Sequence, residues 1–175
     1  MKKMIVALIV VIIIGIYISQ STYQRVDDES IQTIVQKENL VLLDSKIMDT
    51  DSSSFAVIYY QDQNQLGTGI ITISGKTPKL AKELEIAEQH DQPVQYLGTK
   101  SGYPYVGITI HDKEILKYAK TITLKLPDQK PQVKNVQKPQ SSFLFVGTKS
   151  LQNSSNHLQY EIKNDTGEIL YEKNY

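Results

Sequence analysis

Thr121-Ile-Thr-Leu-Lys-Leu126 places isoleucine or leucine at every second position, the cleanest two-residue period in the chain. Successive side chains of a strand point to opposite faces, so the stretch reads as a strand with Ile122, Leu124 and Leu126 on one buried side. Working outward, the same reading recurs. Downstream, Pro127 and Pro131 bracket a turn, and Gln132 to Val136 reads as an edge strand, because Pro131 and Pro139 cannot donate to a ladder. Phe143 to Val146 is wholly apolar and reads as a central strand. The chain then closes in a hairpin: Leu158, Tyr160 and Ile162 face one way, Asn164-Asp-Thr-Gly167 turns, and Ile169 and Tyr171 return.

Upstream, Val94 to Leu97 leads through Gly98-Thr-Lys-Ser-Gly102 to Tyr105-Val-Gly-Ile-Thr-Ile110, again two strands and a turn. Before them, Phe55, Val57 and Tyr59 alternate with Ala56, Ile58 and Tyr60, which predicts a strand covered on both faces. The turn Asp62-Gln-Asn-Gln joins it to Leu66 to Ser74 as a hairpin. Leu40 to Leu43 with Ile47-Met48 reads as a first strand, followed by a polar turn from Asp49 to Ser53. Lys76 to His90 is ambiguous. Thr77-Pro78 resembles a helix start, and Leu80, Leu84 and Ala87 fall at helical spacing; yet Leu84 and Ile86 alternate, and strands lie on both sides. Many short strands at near-regular spacing predict an all-β body, with a β-sandwich as the first choice.

The start of the chain has a different character. Met4 to Ile18 carries no charge and is almost entirely Ile, Val and Leu, with Lys2 and Lys3 before it. The twenty-one uncharged residues between Lys3 and Arg25 span about 31 Å as a helix, against a hydrocarbon core about 30 Å thick. Residues 1–24 therefore read as a single N-terminal transmembrane helix, with the lysines cytoplasmic and Asp27, Asp28 and Glu29 outside. The alternative is a cleaved signal peptide, with Ser19-Gln20-Ser21 as its small-x-small site and a secreted product. Either way the body leaves the cytoplasm. Residues 25–39 read as a short helical stalk: Asp28 can cap it, Glu29 sits in the first turn, and Ile31, Ile34 and Val35 share a face. Residues 40–175 form the extracytoplasmic β-rich domain.

Composition limits the chemistry. Without cysteine there is no disulfide, thiolate nucleophile, zinc–thiolate site or lipidated cysteine, and an exported domain without disulfides points to a bacterial envelope. Removing Lys2 and Lys3 leaves 17 basic against 19 acidic residues, and Arg25 is the only arginine. No nucleic acid is expected as a partner. The membrane is one, through the N-terminal helix, and an envelope protein or cell-wall component is another. Asn153-Ser-Ser and Asn164-Asp-Thr fit the glycosylation sequon but read as turns.

Motifs for catalysis or cofactors are weak. Gly69 to Thr77 (GIITISGKT) has five residues where a phosphate loop needs four, and its isoleucines make a strand. Asp49-x-Asp51-x-Ser53 begins like a calcium loop, but Ser54 stands where Gly is needed and Tyr60 where Glu is. Asp62-x-Asn64 has Gly67 in place but Ile73 at the twelfth position, so both read as turns. His90, His111 and His157 lack the spacing of a shared helical metal face and any nucleophile motif. His111-Asp112 is the one pairing that could serve a hydrolase assembled from distant strands. No catalytic, cofactor or metal residue is assigned. A pilin-like subunit is disfavoured, because no Gly-aromatic processing site with an early glutamate occurs.

The compositional excess is tyrosine: eleven, against three phenylalanines and no tryptophan. Tyr59, Tyr60, Tyr96, Tyr103, Tyr105 and Tyr118 cluster mid-body. Tyrosine serves strand packing first and binding faces second. Two short echoes, Gly98-Thr-Lys-Ser101 with Gly147-Thr-Lys-Ser150 and Ser53-Ser-Phe55 with Ser141-Ser-Phe143, read as shared turn chemistry rather than a repeat.

Tyr105 to Ile110, Lys120 to Leu124, Ser142 to Val146, and the rhythm from Tyr160 to Tyr171 are similar to the closing strands of small uncharacterised membrane-anchored or exported β-rich ectodomain proteins of Gram-positive bacteria. The resemblance implies a β-sandwich-like ectodomain and an extended conformation for Lys76 to His90, and it transfers no activity and no site residue. The expectation is a non-catalytic envelope binding or accessory module.

Overall fold

The computed structural model describes residues 25–51, 53–99, 103–126, 129–148 and 158–174. Helix α1 (Asp28–Lys37) is followed by β1 (Val41–Asp49), β2 (Ser54–Asp62), β3 (Gln65–Ser74) and β4 (Thr77–Ala87). Then come β5 (Val94–Thr99), β6 (Tyr105–Ile110), a short helix α2 (Lys113–Tyr118) and β7 (Thr121–Lys125). The chain ends with β8 (Gln132–Asn135), β9 (Ser142–Val146), β10 (Gln159–Lys163) and β11 (Ile169–Asn174). The described chain is mostly strand, as the two-residue periods predict.

The strands form three antiparallel sheets. The first is a meander in the order β1-β2-β3-β4; the second runs β5-β6-β9; the third runs β11-β10-β7-β8. Within Lys76 to His90, Thr77–Ala87 is extended, and residues 88–90 form the loop that follows. β4 pairs with β3 so that Leu80 lies opposite Ile71 and Ile86 opposite Leu66, and the turn between them uses Gly75 at φ +67°. Pairing outweighs the helical propensity of its Lys, Glu, Leu and Ala residues. Pro78 is tolerated because β4 is an outer strand, and its lysines and glutamates suit an exposed edge. Gln132–Asn135 is also an edge strand, as Pro131 and Pro139 predict. Phe143–Val146 is buried as expected, yet it borders its sheet.

The second sheet has cores on both sides. Val106, Ile108, Phe143 and Phe145 pack toward Ile122 and Tyr160 of the third sheet. The alternate residues Tyr105, Leu144 and Val146 pack with Val57, Tyr59 and Leu66 of the first. Gly107 permits the close approach of the first sheet, since a Cβ there would stand 2.7 Å from the Tyr59 ring.

The outer face of the first sheet is covered by α1. Asp27, not the Asp28 read from sequence, caps the helix, accepting from the Ser30 N–H at 2.8 Å, and the Ser30 hydrogen bonds hold its carboxyl below the usual range. Ile31, Ile34 and Val35 are buried against Ala56, Ile58 and Ile71. Burying Ile31 and Ile34 is worth about 1.5–3 kcal/mol each. The segment read as a stalk thus lies packed on the sheet, and the Val26 N–H adds a hydrogen bond to Ser54 Oγ at 2.9 Å.

One carboxylate joins all three sheets. The β1–β2 register slips between Leu42 and Asp44, a bulge that re-aims Asp44. Its Oδ2 accepts from the Leu144 backbone N–H of β9 at 2.7 Å and from Lys134 Nζ of β8 at 2.6 Å.

On the third sheet, Glu161 is buried and takes hydrogen bonds from Lys125 and Lys163, which hold its carboxyl below the ordinary 4.5 despite the cost of burial. A depressed folded pKa stabilises the fold above the unfolded value, and that stabilisation is lost as pH falls through the folded one. Glu161→Gln is therefore expected to lower Tm at neutral pH by about 2–4 °C. The gap should close as the pH drops below 4.5 in paired melting curves; a constant gap down to strong acid would refute this.

Candidate functional site

Two features stand where the first and second sheets meet, at opposite ends of the β5–β6 hairpin. At the turn end is a cavity of about 400 Å³ lined by Phe55 and Val57 of β2, Ile70 of β3, Glu83 of β4, and Tyr103 and Tyr105. The Phe55 and Tyr103 rings are tilted at 52° with centroids 5.8 Å apart. Tyr105 is nearly buried, and its phenol is pushed up by burial, with a smaller contribution from the Glu83 charge. The cavity is a cup of aromatic and aliphatic side chains with a single carboxylate, and Ser53, Ser54, Thr72 and Thr99 add hydroxyl groups to its lining.

At the other end, the loop after β4 meets the end of β6. Val94 pairs with Ile110, so His111 falls beside Pro93 and its N–H bonds the Pro93 carbonyl at 2.9 Å. Within this corner Glu88, His90 and His111 gather, each offering one ligand atom within 4.8 Å of the others. The His90 and His111 rings meet edge to face with centroids 5.2 Å apart. Burial lowers the His111 pKa, while the Glu88 charge acts in the opposite sense. Gln95 Nε2 donates to the Ala87 carbonyl at 2.8 Å, and its Oε1 accepts from the Gln89 N–H at 2.8 Å. That same Oε1 lies 3.2 Å from His111 Nε2.

The candidates read from sequence are distributed as follows. Asp112 does not orient His111. Its carboxylate caps α2, accepting from the Ile115 N–H at 2.8 Å, and the carboxylate facing His111 is Glu88. His90 and His111, distant in sequence, come together; His157 lies outside the described residues. Gly69 to Ser74 is strand and Gly75-Lys76 a turn, as the strand-plus-turn reading expects and not as a phosphate loop requires. Asp62 ends β2, with Gln63 at φ +53° in the turn, and its carboxylate pairs with Lys82 at 3.0 Å. Of the tyrosines, Tyr59, Tyr60 and Tyr105 are core residues, Tyr103 and Tyr118 are exposed, and only Tyr103 and Tyr105 line the cavity. Glu88, Gln95 and Gln61, whose Nε2 donates to Glu88 Oε2, carry no motif; the hairpin register is the signal that places His111 beside the loop.

No protein-family model, curated protein or solved structure matches the chain. Among the described residues no helix is long and apolar enough to cross a membrane, and Met4 to Ile18 lies outside them.

Proposed function

We propose that the chain is a membrane-anchored, extracytoplasmic binding module without catalytic activity, on a β-sandwich-like ectodomain. It engages an envelope partner through the cavity between the first two sheets. The face-to-face packing of the sheets supports the sandwich reading, and the apolar run of residues 4–18 supports the anchor. The observation that carries the binding reading is the cavity's chemistry: mainly aromatic and aliphatic walls with a few hydroxyls and one carboxylate, Glu83. Apolar pockets with a few placed polar groups are the usual form of a ligand site. Aromatic faces beside a carboxylate suit a group with an apolar body and a positively charged end, which an envelope protein or cell-wall component can present.

The test uses the full chain in nanodiscs, with empty nanodiscs as the reference and phenethylamine and phenylacetate as probes. Phenethylamine should bind and phenylacetate should not. Tyr103→Ala and Glu83→Gln should each weaken the amine by about tenfold, the effect of losing a contact worth somewhat over 1 kcal/mol. Equal binding by Tyr103→Ala, or no binding above empty discs, would defeat the reading.

A further inference from the structure

Gln95 is buried, and two backbone groups determine which way its amide faces. The Ala87 carbonyl needs its NH₂ and the Gln89 N–H needs its oxygen. The oxygen is therefore what His111 Nε2 meets, so Nε2 carries the hydrogen. The other ring nitrogen, Nδ1, is left with a lone pair and lies 3.8 Å from Glu88 Oε1. His90 Nδ1 approaches the same oxygen at 3.9 Å. The remaining Glu88 oxygen is occupied, because Oε2 accepts from Gln61 Nε2 at 2.7 Å.

Two imidazole nitrogens and a carboxylate oxygen thus converge at a spacing too wide for hydrogen bonds and suited to a shared cation. Tetrahedral zinc, with bonds of about 2.0–2.2 Å, separates its ligand atoms by about 3.4 Å, so the contraction needed is about 0.5 Å between Glu88 Oε1 and each nitrogen and more between the two imidazoles, whose ligand atoms lie within 4.8 Å of each other. His90 can supply it, since its side chain is 77% exposed on a loop. The orienting groups are already in place. A ligating histidine characteristically donates its second N–H to a carbonyl or carboxylate, as His111 does to Gln95, and a ligating carboxylate is itself held, as Glu88 is by Gln61.

We propose that Glu88 Oε1, His90 Nδ1 and His111 Nδ1 bind a divalent transition metal, with zinc as the best match to two nitrogens and one oxygen. The fourth position stays open to solvent on the His90 side. The site is separate from the aromatic cavity, and its test is independent of that reading.

The experiment is equilibrium dialysis of the full chain, purified in detergent without a histidine tag, against micromolar Zn²⁺. Bound metal is counted by elemental analysis, and cobalt substitution is followed by visible absorption. One zinc per chain is expected, with a rise in Tm. His90→Ala, whose exposed side chain makes it safe for folding, and the near-isosteric Glu88→Gln should each weaken zinc by at least about tenfold and remove the cobalt bands. Absence of zinc from the wild type, or equal retention by both variants, overturns the proposal.

Discussion

Asp44→Ala is expected to destabilise the protein by about 3 kcal/mol, read as a fall in the urea midpoint at unchanged slope. Removing the carboxylate leaves the buried Leu144 N–H on the open side of β9 without its acceptor and leaves Lys134 facing the gap. An orphaned buried donor costs about 1–3 kcal/mol, and breaking a partly buried ion pair adds to that. Lys134→Ala should cost less, about 1 kcal/mol, because the lysine is partly exposed and Asp44 keeps its backbone donor. The order is the discriminating result. If Lys134→Ala proved as damaging as Asp44→Ala, the ion pair and not the backbone contact would be the essential part.

Tyr59→Ala should cost about 3–5 kcal/mol, the range for emptying a buried aromatic site. The ring is fully buried between β2 and β6, beside Gly107, and burial holds its phenol above the ordinary value. Tyr59→Phe removes only the hydroxyl, which meets Thr109 Oγ1 at 2.7 Å, and should cost about 1 kcal/mol. Thr109 and Ser142 keep each other at 2.9 Å. Gly107→Ala alone should cost about 1–3 kcal/mol by overpacking the ring. Combined with Tyr59→Ala it should cost less than the sum, because the new methyl enters vacated space. Strict additivity in that double-mutant cycle would show that the two residues do not contact each other in solution.

Local pattern made the strands legible. Tyr105–Ile110 and the closing hairpin are found where the alternation of Ile, Val, Leu and Tyr places them, and the edge position of Gln132–Asn135 follows from its prolines. What pattern does not encode is which strand lies over which. The division into three sheets, with β7 and β10 together across a long separation, depends on non-local pairing. Local pattern leaves Lys76 to His90 open, because Leu80, Leu84 and Ala87 satisfy a helix while Leu84 and Ile86 satisfy a strand; the edge of β3 decides it for Thr77–Ala87. His111-Asp112 shows the limit for sites. Adjacency suggested a pair, but Asp112 faces its own helix, and the acid that reaches His111 arrives from the end of β4. The β5–β6 hairpin was readable, and its register brings residue 111 to the loop; the Gln95 side chain that orders that corner is invisible to any periodicity.

With interior on either side, the β5-β6-β9 layer has no wet face on which new contacts could be added or removed without disturbing two interiors at once. Substitutions in that layer therefore press on two interiors, whereas the aromatic cup and the histidine corner sit at its two rims. The same β5–β6 hairpin thus carries the cup at its turn and the histidine corner at its open end, so a change at one rim is separated from the other by the length of two paired strands.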